Sequence, residues 1–165
     1  MPITIMETRA LSIDIDPLIL DAARSLIDSS KRRILGLVGA PGSGKSTLSE
    51  ALLAALGDQA QVVPMDGFHF SNRQLDALGR AQRKGAPDTF DAFGYRDLLH
   101  RLRASYRNRE TVYAPGFYRA IEEPIAASIA VAPGTPLIIT EGNYLLLEEE
   151  PWPRVRAMLD LSLIH

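Results

Sequence analysis

Gly39-Ala40-Pro41-Gly42-Ser43-Gly44-Lys45-Ser46-Thr47 is the stretch on which the reading of this chain turns. Residues 39–46 satisfy the pattern G-x-x-x-x-G-K-[ST] in full. The run Ile34-Leu35-Gly36-Leu37-Val38 before it is short and apolar, as expected of a strand buried on both faces of a parallel sheet. Leu48 to Leu56 after it is rich in strong helix formers and stops at Gly57. Strand, glycine-rich turn and helix in that order make a phosphate-binding loop. The glycines permit positive φ and let backbone N–H groups close around phosphate oxygens. The helix that follows points unsatisfied N–H groups and its positive dipole end at the same anion. Lys45 is expected to reach the β- and γ-phosphates, Ser46 to ligate Mg²⁺, and Thr47 to support the α-phosphate. The expected ligands are therefore ATP and Mg²⁺. The competing reading, a glycine-rich turn that binds nothing, is poorly served by this strand and helix context.

Outward from the loop, strands and helices alternate. Asp16-Pro17 reads as an N-cap and first helical residue, opening an amphipathic helix to about Ser29. Lys31-Arg32-Arg33 reads as a solvated basic entry to the first strand. Gln61 to Met65 is expected to be a second strand, with Pro64 arguing for an edge position. Asn72 to Leu78 carries a short helical signal. Asp91 is expected to cap a helix reaching about Tyr106, with Phe93, Leu98, Leu99 and Leu102 as its apolar stripe. Thr111 to Ala114 is expected as a short strand and Gly116 to Gly134 as mostly loop, with a helical turn near Pro124 to Ser128. Leu137 to Thr140 is a further strand, Trp152 to Met158 a helix, and Leu159 to Ile164 a last strand. This alternation predicts an α/β fold with a mostly parallel sheet. No repeat or linker divides the 165 residues, so one domain is expected, with residues 1–30 as a helical segment packed on it.

Composition narrows the function class. Lys plus Arg is 18 and Asp plus Glu is 20, a net charge of -2 that lacks the basic excess of a nucleic-acid binder. With no cysteine, disulfide frameworks, thiolate metal sites and cysteine nucleophiles are excluded. No apolar run approaches the ~20 residues of a spanning helix, and the first residues lack a secretory pattern. A cytoplasmic protein with no membrane or nucleic-acid partner is the expectation.

Ligands of an open parallel sheet sit outside the carboxyl ends of its strands. Three such ends carry informative residues: the loop, Asp66-Gly67 and Glu141-Gly142. Glu141 has the placement of an acid that holds Mg²⁺; a solvated strand-end acid is the alternative. Asp66 has the placement of a general base that takes a hydroxyl proton. A turn-forming Asp-Gly is its alternative. His69, between Phe68 and Phe70, is read either as a hydrogen-bonding partner of an acceptor molecule or as a structural histidine. Arg119 binds acceptor or phosphate, or is a surface arginine. Arg80, Arg83 and Lys84 form a basic loop that either covers phosphates or is merely solvated. His100 and Trp152 read as helix packing.

Taken with Met65-Asp66-Gly67-Phe68, Lys84-Gly85-Ala86-Pro87-Asp88-Thr89-Phe90-Asp91 and Thr140-Glu141-Gly142-Asn143-Tyr144, the loop resembles the phosphoribulokinase, uridine kinase and pantothenate kinase family. The resemblance is strongest to its bacterial branch of fructose-transport-system and nucleoside- or nucleotide-type kinases, and it spans roughly residues 32–164. It implies a three-layer P-loop fold and ATP-dependent phosphorylation of a hydroxyl on a small metabolite such as a sugar, nucleoside, pantothenate or glycerate. The family's catalytic acid falls on Asp66 and its Mg²⁺-associated acid on Glu141. Its acceptor-binding segments fall on Asp88 to Asp91 and on Tyr118-Arg119. Family members continue beyond the last strand into an arginine-bearing lid, a further strand and an adenine-contacting loop, whereas this sequence stops at His165. As it stands the chain is expected to transfer weakly, to hydrolyse ATP slowly, and to expose a sheet edge on which a second copy can associate. A nucleotide-binding regulator or inactive kinase homologue is the rival reading. A GTPase switch is disfavoured because no N/T-K-x-D tetrad occurs.

Overall fold

The computed structural model describes residues 15–27 and 30–165. The expected end of the first helix at Ser29, and the N-terminal segment 1–14, lie outside the described residues. Helix α1 (Pro17–Ser25) is capped by the Asp16 carboxylate, which accepts from the Leu18 N–H. Strand β1 (Arg33–Val38) leads through the loop into α2 (Lys45–Leu56), which ends at Gly57. There follow β2 (Ala60–Val62), α3 (Asn72–Ala77) and α4 (Ala92–Ala104). The chain then forms β3 (Val112–Tyr118), β4 (Glu123–Val131), β5 (Leu137–Gly142), α5 (Trp152–Arg156) and β6 (Leu161–Ile164).

Strands β2, β5, β1 and β6 form one sheet in that order, and every pairing is parallel. Strand β2 lies at the sheet edge and ends at Val62, and Pro64, two residues on, lies past the ladder, where its missing N–H costs no bond. Side chains alternate between two cores. Leu35 and Leu37 of β1 and Leu137 and Ile139 of β5 pack with Leu48, Leu52 and Leu56 of α2 and Ala23 of α1. Ile34, Val38 and Ile138 point the other way, onto Tyr95, Leu99 and Leu102 of α4 and Trp152 and Val155 of α5. Helix, sheet and helix form three layers, as expected.

Four expectations are corrected. The segment read as mostly loop contains β4, paired antiparallel with β3 in a separate two-stranded ribbon. A register shift between Ala114 and Gly116, and positive φ at Ala127, give the ribbon an irregularity that hides its alternation. Phe93 is 53% exposed, because the cap at Asp91 phases α4 so that Ala92, Tyr95, Leu99 and Leu102 face inward. His100 is exposed rather than packed, while Trp152 is buried as expected.

The fourth concerns the basic cluster. Arg32 is fully buried. Its guanidinium donates to the carbonyls of Thr135, Leu102 and Ala132, each at 2.7 Å, and to Pro133 O at 3.3 Å and Ser105 Oγ at 3.2 Å. The C-terminal turn of α4 turns its carbonyl dipoles toward this cation, which substitutes for lost hydration. Arg33 is drawn into an ion pair with Asp160 at 3.0 Å.

Candidate active site

The loop that opens α2 is built for an anion. Gly44 takes φ +93°, a conformation that would strain any other residue, and serves as N-cap without a side-chain hydrogen bond. The first-turn N–H groups of α2 are therefore not consumed by a capping side chain. Ser43 Oγ is buried in the same loop with no hydrogen-bond partner, an orphaned polar atom of the kind a phosphate oxygen satisfies. Lys45 Nζ donates to the carbonyls of Gly39 at 2.8 Å and Ala40 at 2.7 Å, which hold the ammonium along the loop.

Glu141 shares its face of β5 with Leu137 and Ile139, and so faces α2. There Ser46 Oγ donates to its Oε1 at 3.1 Å and Ser49 Oγ to its Oε2 at 3.1 Å. Ser49 is buried and lies one turn after Ser46 on the same helix face. Sequence reading passed over it; the i, i+3 serine pair opposite a strand-end acid was the available signal. Two hard oxygens, Ser46 Oγ and Glu141 Oε1, side by side at the helix start suit Mg²⁺, which accepts few protein ligands and completes its shell with water and phosphate. Among the described residues no group of three His, Asp or Glu side chains forms a metal cage.

Asp66 sits in a short 3₁₀ turn, Met65–Phe68, which Val63 and Pro64 join to β2. Gly67 is there for close approach: a Cβ at this position would meet the Pro115 carbonyl oxygen of β3 at 2.3 Å. The β3–β4 ribbon thus packs onto the turn, and Arg119, just past β3, donates from Nη2 to Asp66 Oδ2 at 3.1 Å. His69 lies under the same turn with a side chain 8% exposed. Its ring packs 4.0 Å from Phe90 and 4.8 Å from Phe117. Nδ1 lies 2.9 Å from the Asp66 carbonyl oxygen, so Nδ1 carries the hydrogen and Nε2 is left as an acceptor.

Burial holds the His69 pKa below the ordinary histidine value, outweighing the hydrogen bond to Asp66 O and the Asp66 charge. The unfolded chain then takes up this proton first as the pH falls through ~6.5. Stability is full above that range and declines below it. We expect the melting temperature to fall between about pH 8 and pH 5.5, and the fall to be shallower in His69→Gln. Equal slopes for the two proteins would show that His69 stays solvated.

A single cleft of about 240 Å³ gathers these groups: Pro41, Gly42, Lys45, Ser46, Asp66, His69, Gly85, Phe90, Arg119, Glu141, Gly142 and Asn143 line it. The structure does not bring Asp88 or Tyr118 into it. Asp88 lines a neighbouring groove and is clamped by Arg83, with bonds of 3.0 and 2.6 Å, and by Arg80. That clamp holds the Asp88 carboxyl below its usual range. Tyr118, at the end of β3, is 48% exposed. The basic loop does not cover the cleft: Lys84 is tied to Asn72 Oδ1 and to the Glu122 carbonyl. Thr47 is exposed on the first turn of α2. Among the described residues no helix is long and apolar enough to cross a membrane.

A family model described as "Phosphoribulokinase / Uridine kinase family" matches residues 34–164. The chain belongs to that family. The phosphoribulokinase/uridine kinase fold is seen in a solved structure described as "putative fructose transport system kinase" from Silicibacter sp. TM1040. It is 43% identical, with a TM-score of 0.79 over 89% of this chain and 72% of that one. The chain is 38% identical over 149 residues to a Schizosaccharomyces pombe protein named as a "putative uridine kinase", covering 85% of this chain and 63% of that protein. It is 36% identical over 150 residues to the uncharacterized protein YggC of Escherichia coli, covering 87% of this chain and 60% of that protein. The chain thus spans about three fifths of the length of these two curated relatives.

Proposed function

We propose that this chain carries the catalytic centre of an ATP-dependent kinase that phosphorylates a hydroxyl of a small metabolite. One observation supports this above the rest: the phosphate-binding loop, the Ser46–Glu141 pair and the Asp66 carboxylate open into the same cleft. A protein that only binds nucleotide has use for the first two and none for the third. The backbone of Gly39 to Thr47 cradles the triphosphate, and Lys45 follows the γ-phosphate. Ser46 and Glu141 would hold Mg²⁺, which would supply neutralisation of the phosphate charge. Asp66 orients the acceptor hydroxyl and takes its proton as the oxygen bonds to the γ-phosphorus. The bond from that phosphorus to the β,γ-bridging oxygen breaks, and ADP leaves with the electron pair. Ser49 fixes the second oxygen of Glu141, and His69 offers Nε2 to a substrate hydroxyl. Catalysis is positioning and charge neutralisation on rigid strand ends.

Incubation with Mg-ATP and a panel of hydroxyl metabolites, with ADP and phosphorylated product both measured, tests the reading. ADP and product rising in equal amounts with one acceptor is the expected result. Nucleotide binding without acceptor-dependent ADP would favour a nucleotide-binding regulator instead.

A further inference from the structure

We propose that Tyr95 is a positioning residue for phosphoryl transfer: from the buried face of the sheet its phenol fixes Thr140, and through Thr140 it sets where Asp66 stands relative to Glu141. The proposal rests on the kinase reading and adds to it a residue that is fully buried and does not line the cleft.

Asp66 and Glu141 belong to different strand ends, and the backbone ladder between those strands stops short of Asp66. β2 pairs with β5 as far as Val62 opposite Ile139. One further backbone bond follows, from Val63 N–H to Ile139 O at 2.9 Å. Pro64 then has no N–H to donate. A side chain makes the next tie: Thr140 Oγ1 donates to Val63 O at 2.6 Å. Thr140 immediately precedes Glu141 and Val63 lies just ahead of Asp66, so this bond joins the two segments that carry the acids.

The direction of the relay follows from valence. A carbonyl oxygen only accepts, so the single hydroxyl hydrogen of Thr140 goes to Val63 O. The Tyr95 hydroxyl, bonded to the same Thr140 oxygen, is therefore the donor, and it holds Thr140 in the rotamer that reaches Val63. Both side chains are fully buried, where a polar group without its partner is costly and the relay has one satisfied arrangement. Burial also raises the phenol pKa above its ordinary value, which keeps Tyr95 a neutral donor.

The same helix grips the other side of Asp66. The Tyr95 ring lies 5.0 Å from that of Phe68, and the Asp91 N–H at the start of α4 donates to the Phe68 carbonyl at 2.8 Å. Between these ties Met65 is pressed onto Gly142, where a Cβ would meet its Sδ at 2.7 Å. Asp66 is thus held before and after by contacts that lead to α4 or to the neighbours of Glu141. In-line transfer needs the acceptor oxygen aligned with the phosphate, and a misplacement of about 1 Å costs roughly 10²-fold in rate.

Three variants test the relay. Tyr95→Phe deletes the hydroxyl and keeps the ring on Phe68, Thr140→Val deletes the other hydroxyl at similar shape, and Thr140→Ser restores it. Each is assayed with Mg-ATP and the best acceptor of the panel, below its own melting transition. We expect kcat to fall about 10- to 100-fold in Tyr95→Phe and Thr140→Val, with KM for ATP moved less than about threefold, and Thr140→Ser to recover most of the loss. Added to Asp66→Asn, Tyr95→Phe should lower kcat by less than about a further twofold, because a positioning residue has little left to do once the group it positions is gone. Values of kcat within about twofold of wild type in both variants overturn the proposal and leave the kinase reading standing. So does a fall that persists undiminished in the Asp66→Asn background, or one matched by an equal rise in KM for ATP, since either assigns Tyr95 to the general stability of the fold. Should Tyr95→Phe fail to fold, the Thr140→Val and Thr140→Ser pair decides; should Thr140→Val fail as well, the relay is structural and the proposal is overturned. No product from the wild-type chain with any acceptor defeats the kinase reading, and the proposal falls with it.

Discussion

Asp66→Asn is expected to lower phosphoryl transfer by about 10²- to 10⁴-fold, the usual worth of a positioned general base. The amide keeps the shape of the side chain and the 3₁₀ turn that carries it, but it cannot accept the hydroxyl proton. Nucleotide affinity should change little, because Lys45, Ser46 and Glu141 bond to one another's surroundings and not to Asp66. Stability should also hold. The ion pair lost with Arg119 is 75% exposed on the arginine side, and such pairs contribute about 0–1 kcal/mol. Product formation, nucleotide titration and thermal melting on the same preparation separate these effects. A parallel loss of nucleotide binding would show that Asp66 belongs to the phosphate site and is not the base.

The second large effect concerns folding. Arg32→Met is expected to cost about 3 kcal/mol, since it strips the carbonyls of Leu102, Ala132 and Thr135 of a buried charged donor and offers nothing in return. For a chain of this size that corresponds to a melting temperature lower by roughly 6–12 °C. Arg32→Lys should recover little, because one ammonium cannot span acceptors arranged around a planar fork. Arg101→Met, which breaks an exposed pair with Glu110, is the control and should move the melting point by about 2 °C or less. If Arg32→Met melts beside the control, the carbonyl cage is not holding α4 to the strand that leads into the phosphate loop.

The loop was legible because its chemistry is local. Nine contiguous residues carry the turn, the anion-facing amides, the lysine and the hydroxyl, and the strand and helix on either side announce themselves by composition. The ribbon was less legible. Ala126, Ala127 and Ala130 have little strand preference of their own, and β4 exists because β3 lies beside it across an irregular register. Arg32 misled for a related reason: its charge reads as solvent-facing, and the carbonyls that replace water come from positions 70 to 103 residues away. Asp88 shows the converse. It sits in a motif-like run, yet Arg80 and Arg83, a few residues before it, claim its carboxylate and turn it into the adjoining groove.

By itself the sequence determined the parallel α/β architecture, the glycine-rich P-loop and the placing of two acids at strand ends, since each rests on short-range backbone geometry or on the rule that parallel strands gather their carboxyl ends. Only the tertiary structure decided which other side chains share that crevice. Ser49 reaches Glu141, and Arg119 reaches Asp66, through contacts 92 and 53 residues apart in the chain. Such contacts depend on strand order and on a glycine small enough to let the ribbon close in, neither of which is written into a local pattern of residues.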